Sequence, residues 1–146
     1  MRSFSKFYAL AGARVGYCIA SPEVVNALMD AKDVFNVNMM GEALARAALR
    51  RIDEFRELVA ETRACRALLV SGLEGLGFEV HPPAANYVFA THAEVPASTI
   101  QAGLHAAGIA VRRFEGPRTG NSIRITVAPR PIVEVFTDRL SKVLKE

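Results

Sequence analysis

The stretch RSFSKFYALAGARVGY, residues 2–17, carries the most distinctive chemistry of the chain. It places the hydroxyl groups of Ser3 and Ser5 beside the amine of Lys6, and Arg14 follows a turn of small residues. Hydroxyl groups and a guanidinium bind phosphate well. A lysine beside bound phosphate is typical of a pyridoxal phosphate site, since that cofactor is held as a Schiff base. On spacing alone, a basic tail with a chance Ser-x-Ser-Lys explains the stretch equally well.

Length and composition limit the class of protein. The chain has 146 residues, of which 51% are apolar and 23% charged, which is a globular composition equal to one domain or to pieces of two. No apolar run reaches the 18 to 20 or so residues of a membrane span, and we expect no secretory signal. Cys18 and Cys65 lie far apart, which favours a reduced, cytoplasmic setting and argues against a disulfide framework. The three histidines have no metal-ligand spacing, so we expect no metal site.

The charge of the chain disfavours nucleic acid as a partner. The net charge is +3, and 14 of the 18 basic residues are arginines. Arginine suits carboxylate and phosphate groups because its planar fork binds them through two hydrogen bonds. These arginines are scattered rather than clustered with aromatic residues, so a nucleic-acid interface is not expected.

Periodicity predicts a helix-rich first half and a layered second half. After a strand at 14–20, Ser21-Pro22-Glu23 is typical of a helix start, with Ser21 as the capping side chain. The full set is helices over 22–33, 39–51, 53–76, 97–107 and from 131 onward, and strands over 78–81, 86–90, 109–113 and 122–127. Apolar positions that include Leu58 and Ile132 are predicted to face inward. The β–β–α–β–β–α order of the second half predicts a packed α/β sandwich.

The first stretch also resembles a known family. Ser-Phe-Ser-Lys followed by Ala-Leu-Ala-Gly-x-Arg-Val-Gly-Tyr is similar to the lysine segment of the fold-type I, class I/II aminotransferases, and most similar to the histidinol-phosphate aminotransferase branch. The separation of eight residues between Lys6 and Arg14 is that of the family. The resemblance implies that Lys6 is the catalytic lysine that binds pyridoxal 5'-phosphate. It also implies that Ser3, Ser5 and Arg14 hold the phosphate of that cofactor.

Four further motifs resemble the same family in the same order. They are Phe-Asn-Val-Asn at 35–38, Ala-Asn-Tyr-Val-Phe at 85–89, Gly-Ile-Ala-Val-Arg at 108–112 and Ser-Ile-Arg-Ile-Thr-Val at 122–127. By this resemblance Asn86 lines the substrate side. Arg124 binds the carboxylate or phosphate of the substrate, and Arg112 assists it.

The resemblance implies an architecture and an activity. The fold class is α/β, the C-terminal portion of the pyridoxal-phosphate-dependent transferase fold. Residues 1–52 are then the end of the large domain, 53–77 the inter-domain helix and 78–146 the small domain. The implied activity is transfer of an amino group between an amino acid or amino-phosphate and a 2-oxo acid. Members of the family act as homodimers on small molecules.

Two departures keep other functions open. Phe7-Tyr8 after the lysine is similar to the threonine-phosphate decarboxylases, and Ala128 stands where the family usually has glycine. The family's Gly-rich phosphate turn, its pyridinium-pairing aspartate and its ring-stacking aromatic residue are not in this sequence. We therefore expect the 146-residue chain to be inactive by itself, and a non-catalytic fragment or interaction module is the alternative to an enzyme.

Overall fold

The computed structural model describes residues 1–145, which form two compact units, residues 1–59 and 60–145. The first unit holds β1 (Arg2–Ser3), a 3-10 turn (Ala11–Ala13), β2 (Gly16–Tyr17), α1 (Pro22–Ala31) and α2 (Met39–Arg50). Helix α3 (Ile52–Gly75) begins in the first unit and ends in the second. The second unit continues with β3 (Phe78–Val80), β4 (Tyr87–His92), α4 (Ala97–Ala106), β5 (Arg112–Arg113), β6 (Ile123–Thr126) and α5 (Arg130–Val143). The predicted division at 1–52, 53–77 and 78–146 stays a prediction.

The first strand pair is shorter than predicted. Of the expected strand 14–20, only Gly16–Tyr17 pairs, with Tyr17 opposite Arg2 and Gly16 opposite Ser3. The strand cannot begin at Arg14, because that residue has a left-handed backbone with φ of 55°. A Cβ on Gly16 would lie 2.8 Å from the carbonyl oxygen of Arg2, so only glycine fits this close approach.

Helix α1 begins where the sequence predicts but lacks the predicted side-chain cap. Pro22 occupies its first turn with Glu23, as expected, whereas the Ser21 side chain makes no capping hydrogen bond. The prediction that Ser21 caps the helix is therefore wrong. No residue of α1 is buried. Its apolar residues at helical spacing are all exposed, namely Val24, Val25, Leu28 and Met29.

Helix α2 closes a small core in the first unit. The break at 35–38 is confirmed, and the Asn38 side chain accepts a hydrogen bond of 2.7 Å from the backbone N–H of Gly41. This is the capping that α1 lacks. Ala45 and Ala48 then pack with Phe4 and Tyr8. This core holds the loop that carries Lys6, because both aromatic rings belong to that loop.

The second unit is the α/β sandwich that the sequence predicts. Its four-stranded sheet has the order β3-β4-β6-β5, with every neighbouring pair antiparallel. One face of the sheet packs against α3, α4 and α5. The most buried side chains of this core are Leu69, Leu73, Val88, Ile100, Leu104, Ile123 and Leu140. Alternate residues of the strands lie on the opposite face, which no helix of this core covers.

Three expectations, two for this half and one for the start of α3, are wrong in detail. The strand 109–113 is reduced to Arg112–Arg113, because Gly108 has a φ of 79° and Ile109 donates its N–H to the Leu104 carbonyl instead of to a strand. Ile132 is 56% exposed, since Val133, Phe136 and Leu140 already form the inward stripe of α5. Leu58 is 55% exposed, because in its part of α3 only Ile52 and Phe55 pack against the small core. Among residues 1–145, no helix combines the length and apolar character needed to cross a membrane.

Candidate functional site

The three residues predicted to hold phosphate lie around one groove in the first unit. Ser3, Ser5 and Arg14 line an open groove with a volume of about 560 Å³. The antiparallel pairing of β1 with β2 produces this arrangement, since it sets Ser3 opposite Gly16 and so beside Arg14 and Val15. The remaining lining residues are Met1, Arg2, Val15, Gly16, Tyr17 and Cys18.

The polar groups of this groove are oriented by local hydrogen bonds. The Ser3 hydroxyl donates to the Ser5 hydroxyl at 2.8 Å and accepts from the Ser5 backbone N–H at 3.0 Å. The Ser5 hydroxyl thus keeps its own hydrogen for another acceptor. Arg14 donates one bond of 3.2 Å from Nη1 to the Ala11 carbonyl, which leaves most of its five donors for a ligand. The groove is therefore rich in donors, as a phosphate group requires.

The backbone around the groove is strained at two positions. Ala9 and Arg14 have φ of 54° and 55°, a left-handed conformation that side chains other than glycine rarely adopt. Such conformations cost about 1–3 kcal/mol and persist where the surroundings enforce them. Here the bonds from Phe4 N–H to the Val15 carbonyl and from Leu10 N–H to the Phe4 carbonyl fold the segment back on itself. The strain at Arg14 turns its side chain to the groove rather than along a strand.

Lys6 lies on the loop between these elements. Its side chain is exposed, and it is not among the residues that line the groove. The rings of Phe4 and Tyr8 on either side of it are buried and stack at 4.7 Å, and the Lys6 carbonyl accepts a hydrogen bond from Ala9. No ion pair within the described chain involves Lys6. The loop is thus anchored on both sides of an exposed lysine.

The predicted substrate residues lie in the second unit, on the open face of the sheet. Arg112 on β5 is the direct cross-strand partner of Arg124 on β6, and Arg124 is in turn the partner of Phe89 on β4. Like charges directly opposite each other destabilise a sheet unless something compensates them. No carboxylate in residues 1–145 forms an ion pair with either arginine. The pair therefore favours binding of an anion from outside.

Aromatic rings surround the two guanidinium groups. The Cζ atom of Arg124 lies 5.3 Å from the centre of the Tyr87 ring and 5.6 Å from that of Phe114. The Cζ atom of Arg112 lies 4.9 Å from the same Phe114 ring. Arg124 is half-buried, and its Nε–H is buried without a hydrogen-bond partner. A buried donor without an acceptor is costly, and the neighbouring Arg113 has a second Nε–H of this kind.

Asn86 directly precedes β4 of the same sheet. It is exposed, and its backbone carbonyl accepts a hydrogen bond of 3.0 Å from the Val127 N–H. Arg66 on α3 donates to the Ala85 carbonyl at 2.8 Å and so holds the turn before it. Asn86 therefore belongs to the same sheet as Arg112 and Arg124, whereas Lys6 and the phosphate residues belong to the other unit.

Sequence reasoning missed Phe114. Its signal is its separation of two residues from Arg112, because positions i and i+2 of an extended chain share one face. Tyr87 is 41% exposed and lies beside Arg124. Cys65 is buried at 3% exposure. Among the described residues, no group of three or more His, Cys, Asp or Glu side chains is placed to hold a metal ion.

Comparison with known proteins covers almost the whole chain. The family described as aminotransferase class I and II matches residues 1–140. The histidinol-phosphate aminotransferase of Gluconacetobacter diazotrophicus is 40% identical over 147 residues, which are 99% of this chain and 41% of that protein. The chain thus spans about two fifths of the length of this relative.

Solved structures agree with this comparison. The histidinol-phosphate aminotransferase of Sinorhizobium meliloti, in complex with pyridoxal-5'-phosphate, superposes with a TM-score of 0.84 at 29% identity, over 99% of this chain and 40% of that one. The L-threonine-O-3-phosphate decarboxylase of Porphyromonas gingivalis superposes with a TM-score of 0.77 at 22% identity, over 99% of this chain and 46% of that one. The second likeness shows the fold alone.

Proposed function

Because the chain belongs to the aminotransferase class I and II family, we propose that it supplies the catalytic lysine and the anion-binding arginines of a histidinol-phosphate-type aminotransferase. The enzyme would bind pyridoxal 5'-phosphate and move an amino group between an amino acid or amino-phosphate and a 2-oxo acid. The observation that carries this proposal is the shared groove of Ser3, Ser5 and Arg14. Two hydroxyl groups and a guanidinium directed to one open space fit the phosphate of the cofactor.

The roles of the first unit follow from its donors. Ser3, Ser5 and Arg14 would hold the cofactor phosphate, and the anchored loop would present Lys6 to the cofactor. When bound, pyridoxal phosphate supplies an electron-withdrawing ring that accepts the electron pair of a bond at the substrate's α-carbon. In its neutral form, the Nζ atom of Lys6 would accept the proton that leaves this α-carbon and would pass it to the cofactor, because amino transfer requires the proton to change carbons. An amine on a short, braced loop suits this work because proton transfer needs a fixed geometry.

The second unit would bind the anionic end of the substrate. Arg124 has an unpaired, buried Nε–H, and Arg112 lies directly beside it across the sheet. Together they would grip a carboxylate or phosphate and fix the orientation of the α-carbon. Asn86, which directly precedes β4, would contact the rest of the substrate.

One observation weighs against the decarboxylase alternative. The Lys-Phe-Tyr sequence that suggested it has a packing explanation, because Tyr8 is buried between Phe4 and Phe55, whose rings lie 4.7 Å and 5.2 Å away. Tyr8 thus serves the small core of the first unit. The aminotransferase activity is therefore the one that we propose.

The assembly and location of the enzyme are also proposals. We propose a homodimer in the cytoplasm that acts on small molecules. The exposed apolar residues of α1 support an assembly that covers them, since a soluble surface rarely shows so many apolar side chains together.

The proposal is tested with a chimera. In the Gluconacetobacter diazotrophicus relative, this chain replaces the matching segment, which is 41% of that protein. Amino transfer from histidinol phosphate to a 2-oxo acid is then measured for the chimera and for its Lys6→Ala and Lys32→Ala variants. We expect activity in the chimera, none with Lys6→Ala, and parental activity with Lys32→Ala, since Lys32 is the next lysine along the chain.

A second readout does not depend on turnover. Pyridoxal phosphate is added to the chimera and reduced with borohydride, and the labelled peptide is identified. Labelling confined to Lys6 is expected. Turnover retained by Lys6→Ala, or label spread evenly over all four lysines, would refute the assignment.

A further inference from the structure

We propose that Phe114 is a positioning residue for substrate anions. Its ring holds the guanidinium groups of Arg112 and Arg124 together, so that the pair binds a doubly charged phosphate monoester in preference to a carboxylate. This inference rests on the proposed function, in which these two arginines take the anionic end of the substrate.

The first step is the cost of placing two cations side by side. Arg112 and Arg124 are direct partners on neighbouring strands, so their side chains leave the same face of the sheet. Their charges repel, and within residues 1–145 no carboxylate neutralises either one. Unless another group attracts them, two long side chains in this position swing apart into solvent.

The second step identifies the attracting group. The Phe114 ring has the Cζ atom of Arg112 at 4.9 Å and that of Arg124 at 5.6 Å from its centre. Both distances are within the range of about 6 Å in which a cation is attracted by the face of an aromatic ring. Phe114 therefore contacts both members of the repelling pair, whereas Tyr87 contacts Arg124 alone.

The third step is that the ring is itself braced. Phe114 is half-buried, and its centre lies 6.3 Å from that of Phe89. Phe89 is the cross-strand partner of Arg124 and stacks on His81 at 5.7 Å. A ring supported in this way keeps its place when an anion enters, so the arginines need little rearrangement to bind.

The fourth step gives the ligand class. Neither Arg112 nor Arg124 forms an ion pair within residues 1–145, so this site has unused donor capacity. A phosphate monoester carries close to two negative charges and three oxygens, and it can accept bonds from both forks at once. A carboxylate has one charge and two oxygens, which one fork satisfies. Holding the guanidinium groups of Arg112 and Arg124 close together therefore favours binding of phosphate over binding of carboxylate.

The test measures anion binding by the 146-residue chain at low ionic strength. Inorganic phosphate and acetate are titrated separately at neutral pH, and the arginine Nε–Hε signals are followed by NMR. Phe114→Leu removes the ring and keeps an apolar side chain of similar length, whereas Phe114→Tyr keeps the ring. Phe78→Leu makes the same change on the buried face of the sheet, where Phe78 is 4% exposed, and controls for a general loosening of the sheet.

We expect Phe114→Leu to weaken phosphate binding by roughly three- to tenfold and acetate binding by less than about twofold. Phe114→Tyr and Phe78→Leu should bind phosphate within about twofold of the parent. If Phe114 only stabilised the sheet, Phe114→Leu and Phe78→Leu would instead weaken phosphate binding alike. The Hε signal of Arg124 should also move in Phe114→Leu alone, because the contribution of the Phe114 ring to its shift is lost while that of Tyr87 remains.

Two outcomes separate the failure of this inference from that of the proposed function. If the parent binds phosphate and Arg124→Lys weakens it, but Phe114→Leu does not, the inference about Phe114 is wrong and the proposed role of the arginines stands. If the parent shows no phosphate-dependent change at Arg112 or Arg124, both the inference and the proposed substrate site are wrong.

Discussion

Arg112 and Arg124 face each other as direct partners on the antiparallel strands β5 and β6, and the guanidinium groups of both lie over the ring of Phe114. The relationship is unusual because it concentrates two positive charges where a sheet ordinarily pairs opposite charges or apolar groups. In the first unit, Ser3, Ser5 and Arg14 create a second concentration of donors. Each unit of the chain therefore carries a cluster of hydrogen-bond donors of its own, and we propose each cluster as an anion site.

Arg124→Lys should harm the use of anionic substrates far more than cofactor binding. Lysine offers a point charge where a planar fork is needed, and a lost charge-assisted hydrogen bond costs about 1.5–3 kcal/mol, or one to two powers of ten. The measurement is kcat/KM of the chimera together with its visible absorbance after addition of pyridoxal phosphate. Arg118→Lys is a matched control, since Arg118 is an exposed loop residue. Unchanged efficiency with an intact spectrum would show that Arg124 does not contact the substrate.

Gly41→Ala should destabilise the first unit. A Cβ at Gly41 would lie 2.8 Å from the Val15 side chain and 2.9 Å from the Ala13 carbonyl. The variant must therefore push α2 away from the segment that contains Ala13 and Val15. Overpacking of this kind costs about 1–3 kcal/mol.

Gly75→Ala is the matched control for this variant. Gly75 is also helical, and a Cβ there meets nothing within 4 Å. Because alanine favours helices by up to about 1 kcal/mol over glycine, this variant should be neutral or slightly more stable. Urea unfolding followed by circular dichroism measures both. Equal stabilities for the two variants would mean that Gly41 is not closely packed.

Amide hydrogen exchange should be slower in the sheet of the second unit than in residues 1–20. Amides of the central strands β4 and β6 are expected to exchange slowly, because they are paired on both sides and cover the large core. Amides of residues 1–20 should exchange fast, since their only strands are two residues long and every residue from 18 to 40 is exposed. The same weakness underlies the prediction that the chain by itself does not transaminate. Robust amino transfer by the purified chain, or slow exchange throughout residues 1–20, would contradict these expectations.

Glu54 should titrate below the usual range of a glutamate. The hydrogen bonds that it accepts from Arg51, one of them 2.7 Å from Nε, lower the pKa of Glu54. Because the folded pKa is the lower one, the ion pair adds stability above the unfolded pKa, and this stability is lost as the pH falls through the folded pKa. Both side chains are exposed, so the effect on stability is small.

The measurement is an NMR titration of the Glu54 carboxyl group in the parent and in Arg51→Gln. The substitution should raise the pKa of Glu54, and any difference in stability between the two proteins should shrink in acid. Identical titration curves would show that the pair does not persist in solution.

Local patterns predicted much of the fold. Asn38 and the Ala-rich stretch after it place α2 correctly, and the β–β–α–β–β–α order of the second half is confirmed. The family was also visible in the sequence, through the Lys6 segment and four later motifs, and the comparisons confirm it. The predictions were wrong at positions where a local pattern did not decide the conformation. The Ser21 hydroxyl makes no capping hydrogen bond. The left-handed backbone of Arg14 shortens the predicted strand.

The sequence by itself determined the residue types and their order: a lysine with aromatic residues two positions before and after it, serines two apart, and arginines at 112 and 124 within apolar strands. Such local information is sufficient where neighbours along the chain make the contacts, as in helices and turns. Only the tertiary structure decided that Arg112 and Arg124 are direct partners and that Phe114 lies against both. Strand register and side-chain packing depend on residues far apart in sequence, and a shift of one residue would send Arg124 to the opposite face of the sheet.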